Sequence, residues 1–474
     1  MVFSSMTFLT LFLPAVLLLY FCRQSMAWKN GVLLTASLLF YAWGEPVGIL
    51  LMLLSVAVNF FCAPGIERGI GGVKKMWLIL GVSASVIFLL YFKYAAFFVN
   101  TAAAWFSLPY QIAEKRLPIG ISFYTFQILT YTVDVYRGKA KAQKNPALLL
   151  LYVSCFPQLI AGPIVQYADV AVQIDSRYST PSCFAEGARR FVIGLSKKVL
   201  LANICGSAVE ALYITDPQQT LSVLGAWYAA VLYTLQIYFD FSAYSDMAIG
   251  LGKIFGFTYK ENFRYPYLSG SVAEFWRRWH ISLGSFFRDY VYIPMGGSRC
   301  TKLRAMFNIM VVWTLTGLWH GACWNFILWG MYYGILIVSE RFLLGTKRVE
   351  KIPLALRVLF VMVITVVGFT IFYHTDLTFL ARHLMAMTGL KIVDGQITFA
   401  ALHDPLAMAV VRKYTIFPLI AAAACFPIVP AVQKRLGETQ WCQKLSYACA
   451  TILLILSALF LVGQTYNPFI YFRF

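Results

Sequence analysis

The chain alternates long apolar runs with short polar connections, and the runs are long enough to cross a bilayer. A membrane-spanning helix needs about 20 predominantly apolar residues. Runs of this kind fall at residues 6–22, 30–62, 76–96, 118–136, 147–165, 188–210, 221–256, 305–339, 354–373, 413–432 and 446–466. Because 30–62 and 221–256 each have room for two spans, the pattern predicts about 11 to 13 membrane-embedded helices.

Composition supports this reading. Hydrophobic residues make up 60% of the 474 residues and charged residues 12%, against roughly 25% charged in soluble domains; mean hydropathy is +0.70. These values exclude a soluble enzyme and predict an all-α polytopic protein surrounded by the lipid bilayer. The sequence contains no internal repeat and no polar segment long enough for a soluble domain. We therefore expect residues 1–474 to form a single membrane-embedded domain.

Turn-forming residues lie directly beside several of the apolar runs. Proline and glycine interrupt regular helices and mark turns. Irregular backbone is tolerated at membrane depth only where protein covers it or water lines it. These positions therefore predict broken or re-entrant segments around an internal cavity; they include Pro118, Gly120, Gly162-Pro163, Pro266 and Pro405.

The net charge of +19 is distributed between the spans. Lys74 and Lys75, and then Lys139 and Lys141, stand between apolar runs, as the positive-inside rule describes for cytoplasmic loops. We therefore attribute the charge to topology and expect no nucleic-acid partner. The loops at 66–76, 137–146 and 341–352 are predicted to face the cytoplasm.

The sequence carries no pattern of metal or phosphate chemistry. The ten cysteines are scattered without a Cys-x-x-Cys pair, so they predict neither a disulfide framework nor a metal site. His374, His383 and His403 lack a spacing that would pair them as ligands. A Walker-type glycine loop does not occur either. We expect no bound metal and no bound cofactor.

Residues 271–290, SVAEFWRRWHISLGSFFRDY, have the periodicity of an amphipathic helix. At 100° per residue the large apolar side chains fall in one arc and the charged ones lie opposite. Tryptophan and arginine together suit the membrane interface, and Glu274 can pair with Arg278 at i,i+4. His280 lies at the edge of the apolar arc. It is either a boundary histidine hydrogen-bonded locally or part of a site.

His320 lies near the middle of residues 305–339, which contain no Asp, Glu, Lys or Arg. A straight helix from Arg304 would carry it about 24 Å into the membrane, and an intramembrane ionisable group indicates function. Basic residues bracket the run on both sides, so the chain is predicted to dive and return with His320 near the apex. A structural histidine packed among helices stays an alternative.

The neighbours of His320 in sequence suggest how a substrate could fit. Gly317, Gly321, Ala322 and Cys323 are small and leave room around the ring. The side chains of Trp319, Trp324 and Asn325 could enclose the imidazole ring and polarise it.

The run FRYPYLSGSVAEFWRRWHISLGSFFRDYVYIPMGG, followed by TGLWHGACWNFILWG, resembles the membrane-bound O-acyltransferase family, in its alginate and peptidoglycan O-acetylation branch. The segments LPIGISFYTFQ, FPQLIAGPIVQY and YFDFSAYSDMAIGLGKIFGF, and both chain ends, agree with it, so the resemblance covers nearly the whole chain. The double Trp-His pattern, about 40 residues apart within such segments, makes it specific.

The resemblance implies a central tunnel and the transfer of an acetyl or other short acyl group from a cytosolic thioester, acetyl-CoA or another acyl thioester, to a hydroxyl acceptor outside. His320 would be the catalytic histidine and His280 the second one. The expected partners are the thioester donor and an extracytoplasmic acetyltransferase or carrier protein that acts on a polysaccharide. The expected location is the bacterial inner membrane. Substrate contacts are expected from Asn325, Trp319, Trp324, Gly321, Trp276 and Arg288.

The chemistry agrees with these roles. A neutral imidazole can accept the proton of a hydroxyl as it attacks a thioester, and Asn325, His280 or a tryptophan N–H could donate to the oxyanion. Arg288 could contact a phosphate group of the thioester donor. The alternative is a structural ion pair with Asp289.

Two other classes of function stay open at this point. A transporter or flippase for a glycan or lipid could use His320 as a proton relay or cargo ligand, although the internal symmetry of many transporters is not found. The second class is a non-catalytic protein that takes part in the assembly of an exported polymer.

Overall fold

The described part of the chain is predominantly helical and contains almost no sheet. The computed structural model describes residues 1–159, 162–213, 221–345, 349–393, 395–437, 439–463 and 470. The α-helices are, in chain order, α1 (Leu13–Cys22), α2 (Met26–Gly44), α3 (Gly48–Arg68), α4 (Gly71–Leu89), α5 (Ala95–Trp105), α6 (Ile121–Tyr136), α7 (Pro146–Ser154), α8 (Phe156–Leu159), α9 (Tyr167–Asp175), α10 (Pro181–Ser196), α11 (Asn203–Leu212), α12 (Val223–Ile254), α13 (Val272–Arg278), α14 (Ile281–Phe287), α15 (Lys302–His320), α16 (Trp324–Val338), α17 (Leu354–Tyr373), α18 (Leu377–Met387), α19 (Pro405–Tyr414), α20 (Ile416–Ala424), α21 (Ile428–Leu436) and α22 (Gln440–Gly463).

Other short elements join these helices. Wider π-helical turns occur at Phe8–Phe12, Leu90–Tyr94, Lys197–Ala202, Arg288–Tyr292 and Ser339–Leu344, and a 3-10 turn at Pro266–Leu268. Two strands, β1 (Leu390–Val393) and β2 (Gln396–Phe399), form an antiparallel hairpin in which Leu390 pairs with Phe399. The sequence analysis did not predict this hairpin.

The all-α polytopic class is confirmed. Six helical segments in the described part of the chain are long and apolar enough to cross a membrane, or seven if α19 and α20, bent by 60°, count as one span. This is fewer than the about 11 to 13 expected from length alone. Two of the expected runs show why the numbers differ. Residues 147–165 contain the break between α7 and α8. Residues 221–256, which have room for two helices, are mostly the single 32-residue helix α12.

The described chain groups into two compact units, each discontinuous in sequence. The first contains residues 1–192 and 244–261. An aromatic cluster lies in its core, where the Phe3 ring stacks on Tyr244 with centroids 4.5 Å apart and lies 5.0 Å from Phe8. The Arg177 guanidinium donates to Phe255 O at 3.1 Å and to Ile174 O at 3.3 Å. It thereby satisfies carbonyls at the ends of two helices, which have no helical partner of their own.

The second unit contains residues 193–243 and 262–474, and both histidines expected to be functional lie in it. Its helices α15 and α16 are joined by residues 321–323 and lie antiparallel, since Gly317 faces Phe326 and Gly334 faces Met310. The apolar run 305–339 therefore turns back directly after His320. The predicted reversal of the chain is therefore observed, whereas the depth of His320 in the membrane stays a prediction.

The predicted amphipathic helix at 271–290 is broken into α13 and α14 at Trp279 and His280. His280 has φ +44°, in the left-handed region, which ends a right-handed helix. The aromatic face packs on protein: the Trp279 ring is 3% exposed and lies 4.9 Å from Phe369 of α17. The single interface helix was therefore a wrong prediction, because periodicity cannot detect one residue of changed handedness.

Local hydrogen bonds explain where α13 begins. Ser271 Oγ accepts from Glu274 N at 3.0 Å, and Glu274 Oε2 accepts from Gly270 N at 2.9 Å, which resembles a capping box. Glu340 Oε2 accepts from Val272 N at 2.8 Å. The predicted pair of Glu274 and Arg278 is formed at 2.5 Å.

Candidate active site

His320 is the last residue of α15 and is 4% exposed. Its ring is surrounded by aromatic rings, with centroid distances of 4.9 Å to Trp319, 5.1 Å to Trp329 and 5.0 Å to Phe372. The last two stand edge-on to the imidazole at 83° and 81°. The imidazole is thus held in an orientation set by rings from α16 and α17.

Asn325 joins two of the helices that surround His320. It is fully buried, and its Nδ2 donates to Phe372 O at 3.1 Å and to Ile371 O at 3.4 Å. These bonds join the start of α16 to the end of α17. The amide hydrogens are directed at backbone carbonyls, so a donor role of Asn325 toward substrate stays a prediction that these contacts do not favour.

The small residues beside His320 allow close helix packing. A Cβ on Gly317 would stand 2.1 Å from Phe326 O, and one on Gly321 would stand 2.3 Å from the Phe326 ring. Protein fills the space next to both glycines. The expectation that they leave an open volume there was wrong, because their missing side chains are replaced by a neighbouring helix. A substrate contact by Gly321 stays a prediction.

His280 is 2% exposed, and Asn262 supports both its backbone and its ring. Asn262 O accepts from Ile281 N at 3.0 Å and Asn262 Oδ1 accepts from Ser282 N at 3.0 Å. These bonds stabilise the left-handed residue between them, a conformation that costs energy for a side chain other than glycine.

The ring of His280 has a defined tautomer. Its Nδ1 lies 3.3 Å from Asn262 Oδ1, and an amide oxygen only accepts hydrogen bonds. Nδ1 therefore carries the proton and Nε2 carries the lone pair. Among the described residues Nε2 has no hydrogen-bond partner. Burial lowers the pKa of His280 to about 3, so at neutral pH the imidazole is uncharged and can accept a proton at Nε2.

Trp319 connects the two histidines. Its ring lies 4.9 Å from His320 and 5.9 Å from His280, by centroids. Phe241 stands edge-on to His280 at 4.5 Å. The structure therefore brings together three of the predicted site residues, His280, Trp319 and His320, from segments far apart in sequence.

A second layer of aromatic side chains lies behind His320. The Trp276 ring is 4.8 Å from Trp313 and 5.3 Å from Trp329. The indole N–H groups of Trp276 and Trp329 are buried without an acceptor among the described residues. Sequence analysis missed Trp329, although it lies one helical turn after Asn325 and so on the same face of α16. It also missed Asn262, for which sequence spacing provides no signal.

Two predicted substrate contacts are more exposed than His280 and His320. Trp324 is 38% exposed at the first position of α16. The Arg288 side chain is 61% exposed and binds Asp289 through both carboxylate oxygens, at 2.8 and 3.1 Å. The structural alternative considered for Arg288 therefore has direct support, whereas a contact of either residue with substrate stays a prediction.

Acidic residues of α12 have basic partners. Asp240 pairs with Lys198 at 2.5 Å and accepts from Ile470 N at 2.8 Å. Asp246 pairs with Arg190 at 2.9 Å. Both carboxylates are satisfied, as buried charges must be, and their contacts explain them structurally.

No group of three or more His, Cys, Asp or Glu side chains placed to hold a metal ion occurs among the described residues. His374 and His383 nevertheless meet, with His374 Nε2 2.8 Å from His383 Nδ1. The sequence did not predict this pair, because it forms across the turn between α17 and α18.

Comparison with known proteins shows what the chain is similar to. The sequence model described as "MBOAT, membrane-bound O-acyltransferase family" matches residues 9–373. A probable alginate O-acetylase of Azotobacter vinelandii is 38% identical over 100% of both chains. A peptidoglycan O-acetyltransferase of Helicobacter pylori is 36% identical over 72% of this chain and 70% of its own. A teichoic acid D-alanyltransferase of Bacillus subtilis is 30% identical over 47% and 59%.

Proposed function

Because the chain belongs to the membrane-bound O-acyltransferase family, we propose that it passes an acetyl group from cytosolic acetyl-CoA across the bacterial inner membrane to a hydroxyl acceptor. The family expected from the sequence is confirmed, and with it an acyltransferase in a multi-pass membrane protein. The donor, the direction of transfer and the roles of individual residues are the content of the proposal.

The relatives support the class of acceptor. Their names assign them alginate, peptidoglycan and teichoic acid, which are polymers outside the cytoplasm. The similarity to the alginate enzyme extends over the whole chain. We therefore assign this chain to the O-acetylation of an extracytoplasmic polysaccharide, directly or through an extracytoplasmic acetyltransferase or carrier protein that receives the acetyl group first.

The observation that supports the proposal is that two buried imidazoles, from segments far apart in sequence, lie close to the ring of the same tryptophan. His320 and His280 both contact Trp319, and both rings are enclosed by protein. An alcohol is a poor nucleophile at neutral pH, and a positioned uncharged imidazole removes this limit by accepting its proton. His320 is the general base in our proposal, and His280 is the second histidine, accepting a hydrogen bond at Nε2.

The reaction then needs only these groups and the two substrates. The hydroxyl oxygen forms a bond to the thioester carbonyl carbon while its proton passes to His320. The tetrahedral intermediate collapses, the carbon–sulfur bond breaks, and the thiolate of coenzyme A takes the proton. Negative charge develops on the carbonyl oxygen and requires a donor. The Trp329 N–H, buried beside His320, is our candidate for that donor.

Access from two sides follows from the chemistry of the substrates. A coenzyme A thioester is charged and does not cross a bilayer, whereas the polymer presents its hydroxyls outside. The 19 residues of α15 correspond to about 28 Å, which separates His320 from the basic residues at the other end of the helix. A tunnel connecting a cytosolic opening to this depth belongs to the proposal.

Purified protein reconstituted in liposomes with acetyl-CoA tests the proposal. His320→Ala should lower acetyl transfer and thioester cleavage by about 10²- to 10⁴-fold, the contribution of a general base. His320→Gln preserves most of the packing volume and should be equally inactive. His403→Ala, at an exposed histidine, is the matched control and should retain wild-type turnover. Full turnover by folded His320→Gln would refute the assignment.

A further inference from the structure

The hairpin of β1 and β2, between α18 and α19, has one face that is entirely apolar. In its register Leu390 lies opposite Phe399 and Ile392 lies opposite Ile397. Successive side chains of a strand point to opposite faces of the sheet, so these four side chains share one face, which we call the apolar face. The hairpin is therefore amphipathic, and its other face consists of Lys391, Val393, Gln396 and Thr398.

The apolar face is exposed at the surface of the protein. Phe399 is 85% exposed, Ile397 67% and Ile392 49%. Leu402, directly after the hairpin, is 77% exposed. Large apolar side chains grouped in this way mark a surface that contacts another apolar phase or another molecule.

Hydrogen bonds hold the base of the hairpin, so the apolar face has a defined direction. Ala400 N donates to Gly389 O at 2.8 Å, which closes the hairpin below its last pair. Ala401 O then accepts from Val223 N at 2.9 Å, and Val223 is the first residue of α12. The hairpin is therefore attached to a long helix of the same unit.

The hairpin lies at the level where two candidate membrane spans end. The segments Pro181–Leu212 and Leu354–Tyr373 are each long and apolar enough to cross a bilayer. One crevice is lined by the last residue of the first segment, by His374 directly after the second, and by Lys391 and Ile392 of the hairpin. The 20 residues of α17 correspond to about 30 Å of helix, the thickness of the hydrocarbon layer. The hairpin therefore lies next to the boundary of that layer.

We propose that the apolar face of the hairpin binds the lipid surface of the membrane that surrounds the protein. Continuity with the membrane-spanning part identifies this occupant: the chain leaves one candidate span at Tyr373 and enters the bent candidate span of α19 and α20 shortly after β2. The strands cannot lie deeper than the headgroups, because the outer edges of a two-stranded sheet carry N–H and C=O groups that need water. Only the apolar side chains then reach the acyl chains.

Such an anchor would set the depth of the candidate active site in the bilayer. It is attached to the start of α12 through Val223, and the same helix carries Phe241, whose ring lies 4.5 Å from His280. The inference goes beyond the proposed reaction and does not depend on it, because it concerns contact with lipid alone.

Fluorescence quenching in nanodiscs of phosphatidylcholine tests the proposal. In the full-length chain without its ten native cysteines, the dye NBD is attached to one cysteine at a time, introduced by Gln396→Cys, Ile397→Cys, Thr398→Cys or Phe399→Cys. Doxyl-labelled lipid should quench the dye at 397 and 399 at least about twofold more strongly than at 396 and 398, because alternate residues face opposite sides. Iodide in the buffer should show the reverse preference. Ile455→Cys, at a 55% exposed position of the candidate span Gln440–Gly463, is the reference for full lipid contact.

Three results would overturn the proposal. Strong iodide quenching at all four positions would place the apolar face in water, and equal lipid quenching at all four would contradict the sidedness of the hairpin. Protection of 397 and 399 from both quenchers would assign the face to a second copy of this chain. A photoreactive benzoylphenylalanine in place of Phe399, in the chain with its native cysteines, supplies an independent measurement: it should crosslink to lipid, and crosslinks to protein alone would overturn the proposal as well.

Discussion

At the scale of single residues, the site depends on a strained histidine. His280 adopts φ +44°, a conformation that side chains other than glycine, asparagine and aspartate rarely adopt. Asn262 compensates by binding the next two backbone N–H groups and the His280 ring. Strain maintained by neighbouring contacts is a feature of functional sites. If His280 has the role proposed for it, Asn262 is a positioning residue, which acts through His280.

We predict that Asn262→Ala lowers the kcat of the folded protein, beyond any loss in the amount of folded protein. The Nδ1–H of His280 loses its acceptor, so the ring is free to rotate or to change tautomer, and we expect a loss of about 10-fold or more in kcat, or at least about 1.4 kcal/mol in activation free energy. Asn308→Ala is the matched control, since Asn308 is also fully buried and its Nδ2 binds the backbone carbonyls of Met295 and Gly297, each at 3.2 Å. Turnover per folded molecule should be measured for both. Equal losses in the two variants would contradict a positioning role.

At the scale of elements, the α15–α16 pair positions His320 and two of the aromatic rings around it. Glycines in both helices allow the two backbones to pack in direct contact. A Cβ on Gly330 would stand 2.3 Å from Trp313 O, and one on Gly317 would stand 2.1 Å from Phe326 O. Small residues at such contacts are typical of helix pairs in membranes. The close approach positions the Trp329 and Phe326 rings around His320. Helix packing and site geometry are therefore coupled in this pair.

Gly330→Ala should lower the thermal unfolding midpoint of the detergent-solubilised protein. The added methyl group meets backbone that cannot rotate away, and such overpacking costs about 1 to 3 kcal/mol. Gly72→Ala is the control, because a Cβ there meets nothing within 4 Å, and it should leave the midpoint unchanged or raise it slightly. A Gly330→Ala protein as stable as wild type would contradict the packing role.

At the scale of the whole molecule, orientation in the membrane follows from the distribution of basic residues. Lys75 precedes the apolar part of the segment Gly71–Trp105, which is long enough to span, and Lys141 follows α6. Short loops rich in Lys and Arg stay in the cytoplasm. The third loop predicted there, which contains Lys347, lies partly outside the described residues. The organisation of residues 1–474 as one domain also stays a prediction.

Cysteine labelling in intact cells checks this orientation. In a background lacking the ten native cysteines, Lys75→Cys and Lys141→Cys should resist a membrane-impermeant thiol reagent. Tyr110→Cys should react, because it replaces a 57% exposed residue beyond the other end of Gly71–Trp105. Permeabilised cells supply the reference for complete labelling. Reaction at both lysine positions with protection at 110 would invert the orientation.

The sequence by itself determined the helical class, the membrane setting, the reversal of the chain after His320 and the family. These properties depend on local hydropathy, on short spacings and on motifs, all of which can be read without knowing which segments meet. It also indicated His280, Trp319 and His320 as site residues, since a histidine in an apolar run has few structural explanations.

Only the tertiary structure decided how these residues work together. The left-handed backbone at His280, its support by Asn262, the Trp329 N–H beside His320 and the filled space at Gly321 all arise from contacts between separate elements. The meeting of His374 and His383 arises in the same way. Periodicity shows which face of a helix is apolar, but the partner of that face is decided by packing, where steric fit and the satisfaction of buried polar groups select one arrangement.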